Sequence, residues 1–410
     1  MNLNIRKLLF CFSFLLIVPT TIFAQGWWFK KADYNQSART SAVGFAIGTG
    51  GFIGTGYDSA TYKRNFSVYI QASDTWVAVT SMGGATGSGL SRSGASSFVI
   101  GTKAYVCCGQ NSNPFNLDCW EYDAGADIWT QKANFAGTPR RSAAGFELGG
   151  NGYIACGQDI SGFKNDLWMY NVSSNTWTSK AAYPGTPRRL PVAFTIGSKA
   201  YVGTGDDGAF KGDFFKYDAT ANAWFTVAVY GGTPRYGATC FVIGTDAYVG
   251  TGYDNTLSNR KDFWKYNSLT NVWSNVKDFS GTARSNAVGF TIGSFGYVGT
   301  GYDSLTTKDF WVFEPNSNGI EEMNKFKSSV KIYPNPIVEN ATISFNPDCL
   351  NAFGKISFTL YDINGREVIN IEELTSAETL LTRGYLGNGI YIYKFVGDGE
   401  LLTTGKVVLQ

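Results

Sequence analysis

Histidine is entirely absent from the 410 residues of this chain. Its absence excludes a catalytic triad with an imidazole base, an imidazole metal site and a histidine general acid or base. Any chemistry would have to use carboxylates, tyrosines and cationic side chains. We therefore expect no bound metal and no cofactor, and the sequence favours a non-catalytic role.

An excess of charge is also missing, because the chain has 34 Lys and Arg residues against 32 Asp and Glu residues. Arg6 and Lys7 belong to the N-terminal segment described next, and without them the two totals are equal at 32. Binding to nucleic acid or to an anionic membrane needs a clustered basic excess. We therefore expect no nucleic-acid partner.

Long apolar runs are absent after the first residues. Arg6 and Lys7 precede an apolar run that starts at Leu8, and the small residue Ala24 stands before Gln25. This order is typical of a secretory signal peptide, with an anchored N-terminal helix as the alternative. We predict a signal peptide over residues 1–24, cleaved between Ala24 and Gln25, and a monomeric mature chain without an integral membrane span.

Cysteine is sparse, with 7 residues of which Cys11 lies in the leader, and the spacing of the others does not repeat. Export permits disulfides. We interpret most of these residues as small buried side chains. We predict one bridge, from Cys119 to Cys107 or Cys108.

Glycine and aromatic residues are abundant, and they fall in six similar segments. The stretch GFTIGSFGYVGTGYD from Gly289 recurs almost unchanged as GFAIGTGGFIGTGYD from Gly44 and CFVIGTDAYVGTGYD from Cys240. An arginine precedes each segment, at intervals of 47 to 53 residues: Arg39, Arg92, Arg140, Arg188, Arg235 and Arg284. Six repeats of about fifty residues each are typical of a β-propeller.

Each repeat begins with two apolar runs, strands A and B, separated by a glycine and one further residue. A two-residue loop that starts with glycine favours a type II′ hairpin turn. The loops are Gly48-Thr49, Gly101-Thr102, Gly149-Gly150, Gly197-Ser198, Gly244-Thr245 and Gly293-Ser294. We predict that these loops fix the register of strand B against strand A.

This register places each repeated arginine opposite a residue at the end of strand B. The pairs are Arg39 with Asp58, Arg92 with Asn111, Arg140 with Asp159, Arg188 with Asp207, Arg235 with Asp254, and Arg284 with Asp303. Opposite charges that face each other across a hairpin contribute roughly 0.2–1 kcal/mol per pair. We predict structural ion pairs. The alternative is that the arginines line the mouth of a central channel and bind an anionic ligand.

Strand C carries the pattern DFWKYN, from Asp262 in the fifth repeat, and strand D opens eleven residues later with Trp273. These aromatic side chains are predicted to pack between neighbouring sheets, with a sugar-binding platform as the alternative. The last repeat lacks its strand D, whereas Trp28 precedes Arg39 by eleven residues, as Trp273 precedes Arg284. We predict that a strand from Trp28 pairs with strand C of the last repeat, closes the ring and protects its edges.

Residues 28–315 resemble the kelch-repeat propellers, which include the galactose-oxidase-like group. The resemblance rests on the glycine-rich end of strand B, as in YVGTG, and on the Tyr and Trp residues that follow it. It implies an all-β, six-bladed propeller, which we place at residues 25–315. A copper oxidase site does not carry over, because its histidine ligands are missing, and no residue motif transfers the activity of the sialic-acid epimerase branch.

The repeat ends near Pro315. Residues 316–329 are polar and are predicted to form a linker. From Val330 the sequence alternates in short strands, and Asn364-Gly365 favours a type I′ turn. We predict a small β-sandwich over residues 330–410.

This last region resembles the type A C-terminal sorting domain of proteins exported by type IX secretion. The matching residues are Tyr333-Pro334-Asn335-Pro336, Gly389-Ile390-Tyr391 and Gly405-Lys406-Val407-Val408. The resemblance implies Sec export, the type IX secretion machinery as a partner, and a final location at the outer-membrane surface or outside the cell. It assigns the sorting signal to Pro334, Asn335, Pro336, Gly389 and Lys406. A plain immunoglobulin-like adhesion module is the alternative.

Function is expected where the repeats differ, in the loops between strands B and C and between strands D and A. Both sets of loops lie on one face of a propeller, where aromatic residues next to cations bind glycans or proteins. The aromatic residues expected to bind a ligand are Phe115, Phe163, Phe210 and Tyr236, and the cations near them are Lys63, Arg64, Lys164, Lys211, Arg260 and Lys261. We predict an exported, non-catalytic module that binds a surface glycan or protein.

An enzyme is the second hypothesis: a carbohydrate-active lyase or epimerase that uses Arg, Tyr and carboxylates at the channel mouth. Asp206, Asp207 and Asp213 are close in sequence and are candidates for calcium binding or acid–base catalysis. They lack the ligand spacing of a calcium loop, and Lys211 lies among them. Fold alone does not choose between binding and catalysis.

Overall fold

The structure is a computed structural model that describes residues 26–86, 90–112, 115–315, 330–347, 349–350, 353–398 and 400–410. The predicted signal peptide and the predicted linker at residues 316–329 lie outside the described residues. Antiparallel strands form nearly all of the regular structure, together with a short 3-10 helix at Gly84–Thr86. In the described part of the chain, no helix is long and apolar enough to cross a membrane. The all-β prediction is confirmed.

The repeats fold into six four-stranded antiparallel sheets, in which strand A pairs with B, B with C, and C with D. Strand A spans Val43–Ile47, Ser96–Ile100, Ala144–Leu148, Val192–Ile196, Thr239–Ile243 and Val288–Ile292. Strand B spans Gly50–Gly54, Lys103–Cys107, Asn151–Ala155, Lys199–Gly203, Asp246–Gly250 and Phe295–Gly299. Strand C spans Phe66–Ile70, Cys119–Asp123, Leu167–Asn171, Phe214–Asp218, Phe263–Asn267 and Phe310–Glu314. Strand D of the first five repeats spans Thr75–Val79, Ile128–Lys132, Thr176–Lys180, Ala223–Thr226 and Val272–Val276.

The fourth strand of the last sheet comes from the N-terminal end of the described chain. Trp27–Lys31 pairs with strand C of the sixth repeat. The Trp28 indole is fully buried and donates from Nε1 to the carbonyl of Lys277 at 3.2 Å. The strand D tryptophans of the other repeats donate in the same way to the preceding repeat, as Trp273 does to the Ala228 carbonyl at 3.1 Å. The predicted pairing of the N-terminal strand is confirmed.

The turns between strands A and B have the predicted length and register. Ile47 lies opposite Gly50, and the equivalent residues pair in the other five repeats, so each loop contains two residues. The first loop residue is a glycine whose φ lies between 58° and 61°, as a type II′ turn requires. In the third repeat Gly150 also has a positive φ, of 77°, so this turn is type I′ rather than the predicted type II′.

The hydrophobic core lies between neighbouring sheets. The A strands of consecutive repeats contact one another, and the A strand of the sixth repeat contacts that of the first. Aromatic residues of strands B and C fill the space between two sheets, as where the Tyr153 and Tyr217 rings lie 5.9 Å apart. The predicted packing of strand C aromatic residues between sheets is confirmed.

Strands B and C of the second repeat are joined by a disulfide between Cys107 and Cys119, which is one of the two predicted pairings. The two cysteines lie directly opposite each other. In four other repeats the same positions hold Gly and Phe, as with Gly203 and Phe214. A Cβ atom on Gly203 would lie 2.3 Å from the Phe214 ring. The disulfide therefore occupies the volume that a phenylalanine ring fills elsewhere.

The C-terminal region forms a small β-sandwich, as predicted. One antiparallel sheet contains Lys331–Tyr333, Asn340–Ser344 and Glu378–Thr382, and the other contains Glu367–Ile371, Ile356–Tyr361, Gly389–Gly397 and Glu400–Leu409. Side chains from both sheets share one core, including Ile343 and Phe395. The turn at Asn364-Gly365 is not the predicted type I′, because only Gly365 has a positive φ and the loop is longer than two residues.

Candidate functional site

The six repeated arginines form the base of the candidate site, and at most 1% of the surface of each is exposed. In five repeats the guanidinium pairs with an aspartate that precedes strand C, at 2.5–2.7 Å. These pairs are Arg92 with Asp118, Arg140 with Asp166, Arg188 with Asp213, Arg235 with Asp262, and Arg284 with Asp309. Arg39 donates instead to Asn65 Oδ1 at 3.1 Å. The predicted register is confirmed where Arg235 lies opposite Asp254. The predicted ion pairs across the hairpin are wrong, because the long side chain extends past strand B to the start of strand C.

The surroundings of Arg188 illustrate how these side chains are held. Nε and Nη2 donate to the carbonyl and Oγ1 of Thr186 at 3.0 and 3.1 Å, and Nη1 donates to the Thr204 carbonyl at 2.9 Å. The guanidinium also donates twice to Asp213 and lies 5.0 Å from the centre of the Tyr183 ring. All five N–H groups are used in this way in Arg140, Arg188, Arg235 and Arg284.

These contacts correct the alternative prediction, in which the six arginines line the mouth of a channel and bind an anionic ligand. A buried guanidinium whose donors are all used inside the protein has none left for a ligand. Arg140, Arg188, Arg235 and Arg284 therefore have no donor left to bind an anion, and Arg39 and Arg92 are too deeply buried to reach one, with 0% and 1% of their surface exposed. Each one joins the start of strand A to the end of strand B and the start of strand C.

The hairpin aspartates bind cations from their own loops instead. Asp58 pairs with Lys63 at 2.5 Å, Asp159 with Lys164 at 2.9 Å, Asp207 with Lys211 at 2.8 Å and Asp254 with Arg260 at 2.5 Å. Burial alone would raise the pKa of Asp207, but hydrogen bonds from Lys211 and Thr186 outweigh it and lower the pKa to about 2. For Asp254, bonds from Thr233, Thr256 and Arg260 likewise outweigh burial and lower the pKa to about 2. These carboxylates are ionised at neutral pH and fix the loops between strands B and C.

Two residues after each arginine, the backbone enters the left-handed region. The φ angles lie between 52° and 60° at Ser41, Gly94, Ser142, Leu190, Gly237 and Asn286. Each N–H donates to the carbonyl of the equivalent residue in the preceding repeat, and Ser41 donates to Asn286, at 2.7–3.4 Å. The bonds form a closed cycle beside a cavity of about 120 Å³. Typical ligand pockets measure about 300–1,000 Å³, so this cavity admits water but not an oligosaccharide.

The residue between each arginine and this cycle differs among the repeats: Thr40, Ser93, Arg141, Arg189, Tyr236 and Ser285. Its backbone pairs with a residue that follows strand B, and those partners are Tyr57, Gln110, Gln158, Asp206, Tyr253 and Tyr302. We call these two sets together the mouth residues. They lie at the same end of the sheets as the loops between strands B and C.

Arg141 and Arg189 form a hydrogen-bonded network with other mouth residues. Both donate to Gln158 Oε1, at 3.1–3.3 Å. Arg141 also donates to Gln110 Oε1 at 2.5 Å, and Arg189 pairs with Asp206 at 2.9 Å. Unlike the buried arginine that precedes it, Arg189 has 30% of its side chain exposed.

Two of the aromatic residues predicted to bind a ligand lie beside this network. The Cζ atom of Arg141 lies 5.7 Å from the centre of the Phe115 ring, and that of Arg189 lies 5.6 Å from the Phe163 ring. Both phenylalanines are partly exposed. The structure therefore places each of these predicted residues against a cation at the mouth.

The other two predicted aromatic residues form a separate cluster in the fourth and fifth repeats. The Phe210 ring lies 5.4 Å from Tyr236 and 6.2 Å from Tyr253. In the first repeat, Tyr57 and Tyr62 form a similar pair at 5.2 Å. The mouth thus has a cationic side and an aromatic side.

Sequence reasoning missed Arg141 and Arg189. The signal that could have found them is the doublet Arg140-Arg141 and Arg188-Arg189, which the other four repeats lack. Because consecutive side chains of an extended chain point to opposite sides, the second arginine of a doublet cannot share the burial of the first.

The carboxylates near the mouth do not form a metal site. Among the described residues, no group of three or more Cys, Asp or Glu side chains is arranged to hold a metal ion. Asp206, Asp207 and Asp213, the candidates for calcium or acid–base chemistry, each bind a different cation: Arg189, Lys211 and Arg188.

The predicted sorting residues meet at one end of the C-terminal sandwich. Asn335, between its two prolines, accepts a hydrogen bond at Oδ1 from the Val408 N–H at 2.9 Å. Its Nδ2 donates to the carbonyl of Lys406 at 3.4 Å. Gly389 begins the preceding strand and lies opposite Leu409. The first and last motifs of the region are therefore in direct contact.

Comparison with known proteins identifies this C-terminal region. Residues 331–410 match the family described as secretion system C-terminal sorting domain. No curated protein matches the sequence. A solved structure of YjhT is similar to this chain, with a TM-score of 0.58 and 16% identity over 68% of this chain and 95% of that chain, a likeness of fold alone. Residues 331–410 are a secretion system C-terminal sorting domain, and the protein is exported by type IX secretion to the cell surface or the extracellular space.

Proposed function

We propose that residues 26–315 form a six-bladed, kelch-type propeller that acts as a non-catalytic module and binds a glycan or a protein through its mouth residues. The sorting domain delivers this module to the surface or to the medium. The observation that carries the proposal is a contrast between neighbouring positions. The same buried arginine recurs in every repeat, whereas the residue after it varies and is partly exposed in four repeats, as Thr40, Arg141, Arg189 and Tyr236.

Two cycles of hydrogen bonds support the propeller. The first is the cycle of left-handed residues described above. In the second, the glycine after strand B donates to the carbonyl of the buried arginine in the next repeat, and Gly301 of the last repeat donates to Arg39 of the first, at 2.7–2.8 Å throughout. Cycles that return to their starting repeat after six steps are what a closed ring of six sheets requires.

The chemistry of the mouth supports a binding role. Aromatic rings and cations lie side by side there. The loop tips expose Ile160, Leu257 and Leu305, with 83%, 70% and 72% of their surface accessible. Exposed apolar groups of this kind are typical of interaction surfaces.

The same surface is poorly suited to acid–base catalysis. A general acid must carry a proton near the working pH, whereas the pKa of Asp207 and of Asp254 is lowered to about 2. Each of these carboxylates is also held by a cation of its own loop. This favours binding over the lyase or epimerase hypothesis.

A glycan array with the exported chain, followed by affinity measurement, tests the proposal. We expect a ligand whose affinity falls at least tenfold when Phe163→Ala and Tyr236→Ala are combined. Phe225→Ala is the matched control, because Phe225 is 48% exposed on strand D, away from the mouth. The control should leave the affinity unchanged.

Product analysis after long incubation with the ligand separates binding from turnover. Chromatography should show the ligand unaltered. A new unsaturated or epimerised product would refute the non-catalytic role. Equal binding by the variant that combines Phe163→Ala with Tyr236→Ala and by the Phe225→Ala control would refute the assignment of the binding face.

A further inference from the structure

Arg141 is a mouth cation without a carboxylate partner. Its hydrogen bonds go to the side-chain amide oxygens of Gln110 and Gln158, and no Asp or Glu within the described ranges forms an ion pair with it. The adjacent cation Arg189 is paired with Asp206 at 2.9 Å. The pair of arginines therefore keeps one positive charge that the protein does not neutralise.

The two guanidinium groups meet at a single neutral acceptor. Arg141 Nη2 and Arg189 Nη1 donate to the same oxygen, Gln158 Oε1, at 3.1 and 3.3 Å. Burial and the nearby charge of Arg189 lower the pKa of Arg141, because both disfavour a second positive charge at this place. An oxyanion bound to both groups would relieve that repulsion and replace a neutral acceptor with a charged one.

We propose that the ligand of the mouth is an acidic polysaccharide and that one of its carboxylate or sulfate groups binds Arg141 and Arg189 together. This inference rests on the proposed binding function and specifies its ligand class. The guanidinium fork matches the paired oxygens of either anion.

The groups around the arginines favour a saccharide over an acidic peptide. The partly exposed rings of Phe115 and Phe163 lie beside the two cations, and they offer flat apolar faces to a sugar ring. The amides of Gln110 and Gln158 supply donors and acceptors for hydroxyl groups.

Titration with matched polymers tests this inference on the exported full chain. Polygalacturonate is compared with its methyl ester, and dextran sulfate with dextran, at 0.15 M salt by calorimetry. We expect one acidic polymer to bind at least tenfold more tightly than its neutral partner, because a charge-assisted bidentate contact is lost in the neutral polymer. The pair that shows the preference identifies carboxylate or sulfate as the bound group.

Two substitutions locate the effect. Arg141→Gln should reduce affinity for the preferred acidic polymer at least tenfold and leave affinity for its neutral partner unchanged. Lys199→Gln is the matched control, because Lys199 is 31% exposed, is paired with Asp218 and lies at the opposite end of strands A and B. It should keep the full preference. Thermal melting of both variants checks that each is folded.

The outcomes that overturn the inference are specific. Equal affinity for acidic and neutral polymers, or an unchanged preference in Arg141→Gln, overturns it while leaving a neutral glycan or a protein as the ligand of the mouth. Equal loss in Lys199→Gln overturns it as well, since the effect would then follow total charge. Tighter binding of poly-glutamate than of any acidic polysaccharide overturns the saccharide class.

Discussion

Neighbouring arginines in the fourth repeat have opposite environments. Arg188 is fully buried and uses every N–H group inside the protein, whereas Arg189 is partly exposed and shares Gln158 with Arg141. One step along the chain separates a residue that holds three strands together from a partly exposed residue at the mouth, where we propose that a ligand binds. The two arginines differ because the N–H groups of Arg188 all bind acceptors inside the protein, whereas Arg189 keeps part of its side chain accessible.

The largest expected effect separates these two residues by stability. Arg188→Met removes five hydrogen bonds and leaves Asp213 without its partner, and we expect a loss of about 3–5 kcal/mol. Arg189→Met removes a partly exposed pair and should cost less than about 1 kcal/mol. Thermal unfolding of both variants measures the difference. Similar losses in the two variants would show that Arg188 and Arg189 do not differ in their contribution to stability.

A second experiment measures how much the disulfide of the second repeat stabilises the fold. Replacing Cys107 and Cys119 together by alanine removes the bridge that stands where other repeats have Gly and Phe. We expect a loss of about 2–4 kcal/mol in unfolding free energy. Cys156→Ala is the control, since Cys156 is buried but not bridged, and it should cost clearly less. Equal costs would mean that the bridge adds nothing beyond packing.

The loop carboxylates near the mouth give a smaller, pH-dependent effect. The folded-state pKa of Asp254 is lowered from 3.8 to about 2. Its contribution, on the order of 2 kcal/mol, is therefore present above about pH 4 and is lost as the pH falls toward 2. The melting temperature should fall over this interval, and it should fall less in Asp254→Asn. An identical decline in the variant would show that this carboxylate is not involved.

The regular part of the fold was open to prediction from sequence because its signals are local. A glycine followed by one residue fixes each A–B turn, and that turn fixes the strand register, as the pairing of Ile47 with Gly50 shows. The spacing from Trp28 to Arg39 equals that from Trp273 to Arg284, and this spacing predicted the pairing of the N-terminal strand.

The charge partners were not open to prediction in the same way. Register arithmetic gives the residue opposite Arg188, but it does not tell how far a long side chain reaches, and the guanidinium lies at Asp213 instead of Asp207. Arg189 was missed because register does not tell to which side of the chain the Arg188 side chain points. The side chain of Arg189 points to the opposite side, and this places it at the mouth. The position of Phe115 and Phe163 near the mouth could be predicted, because both lie in loops between strands B and C. Their role in ligand binding stays a prediction.

A variant with the same residue after the buried arginine in all six repeats tests whether the scaffold and the binding surface are separate. Ser already follows the buried arginine in two repeats, as Ser93 and Ser285, so Thr40→Ser, Arg141→Ser, Arg189→Ser and Tyr236→Ser would give every repeat the same residue there. We expect this variant to keep its melting temperature within a few degrees and to lose ligand binding. Retained binding, or unfolding of the variant, would contradict the division between a buried scaffold and a variable mouth.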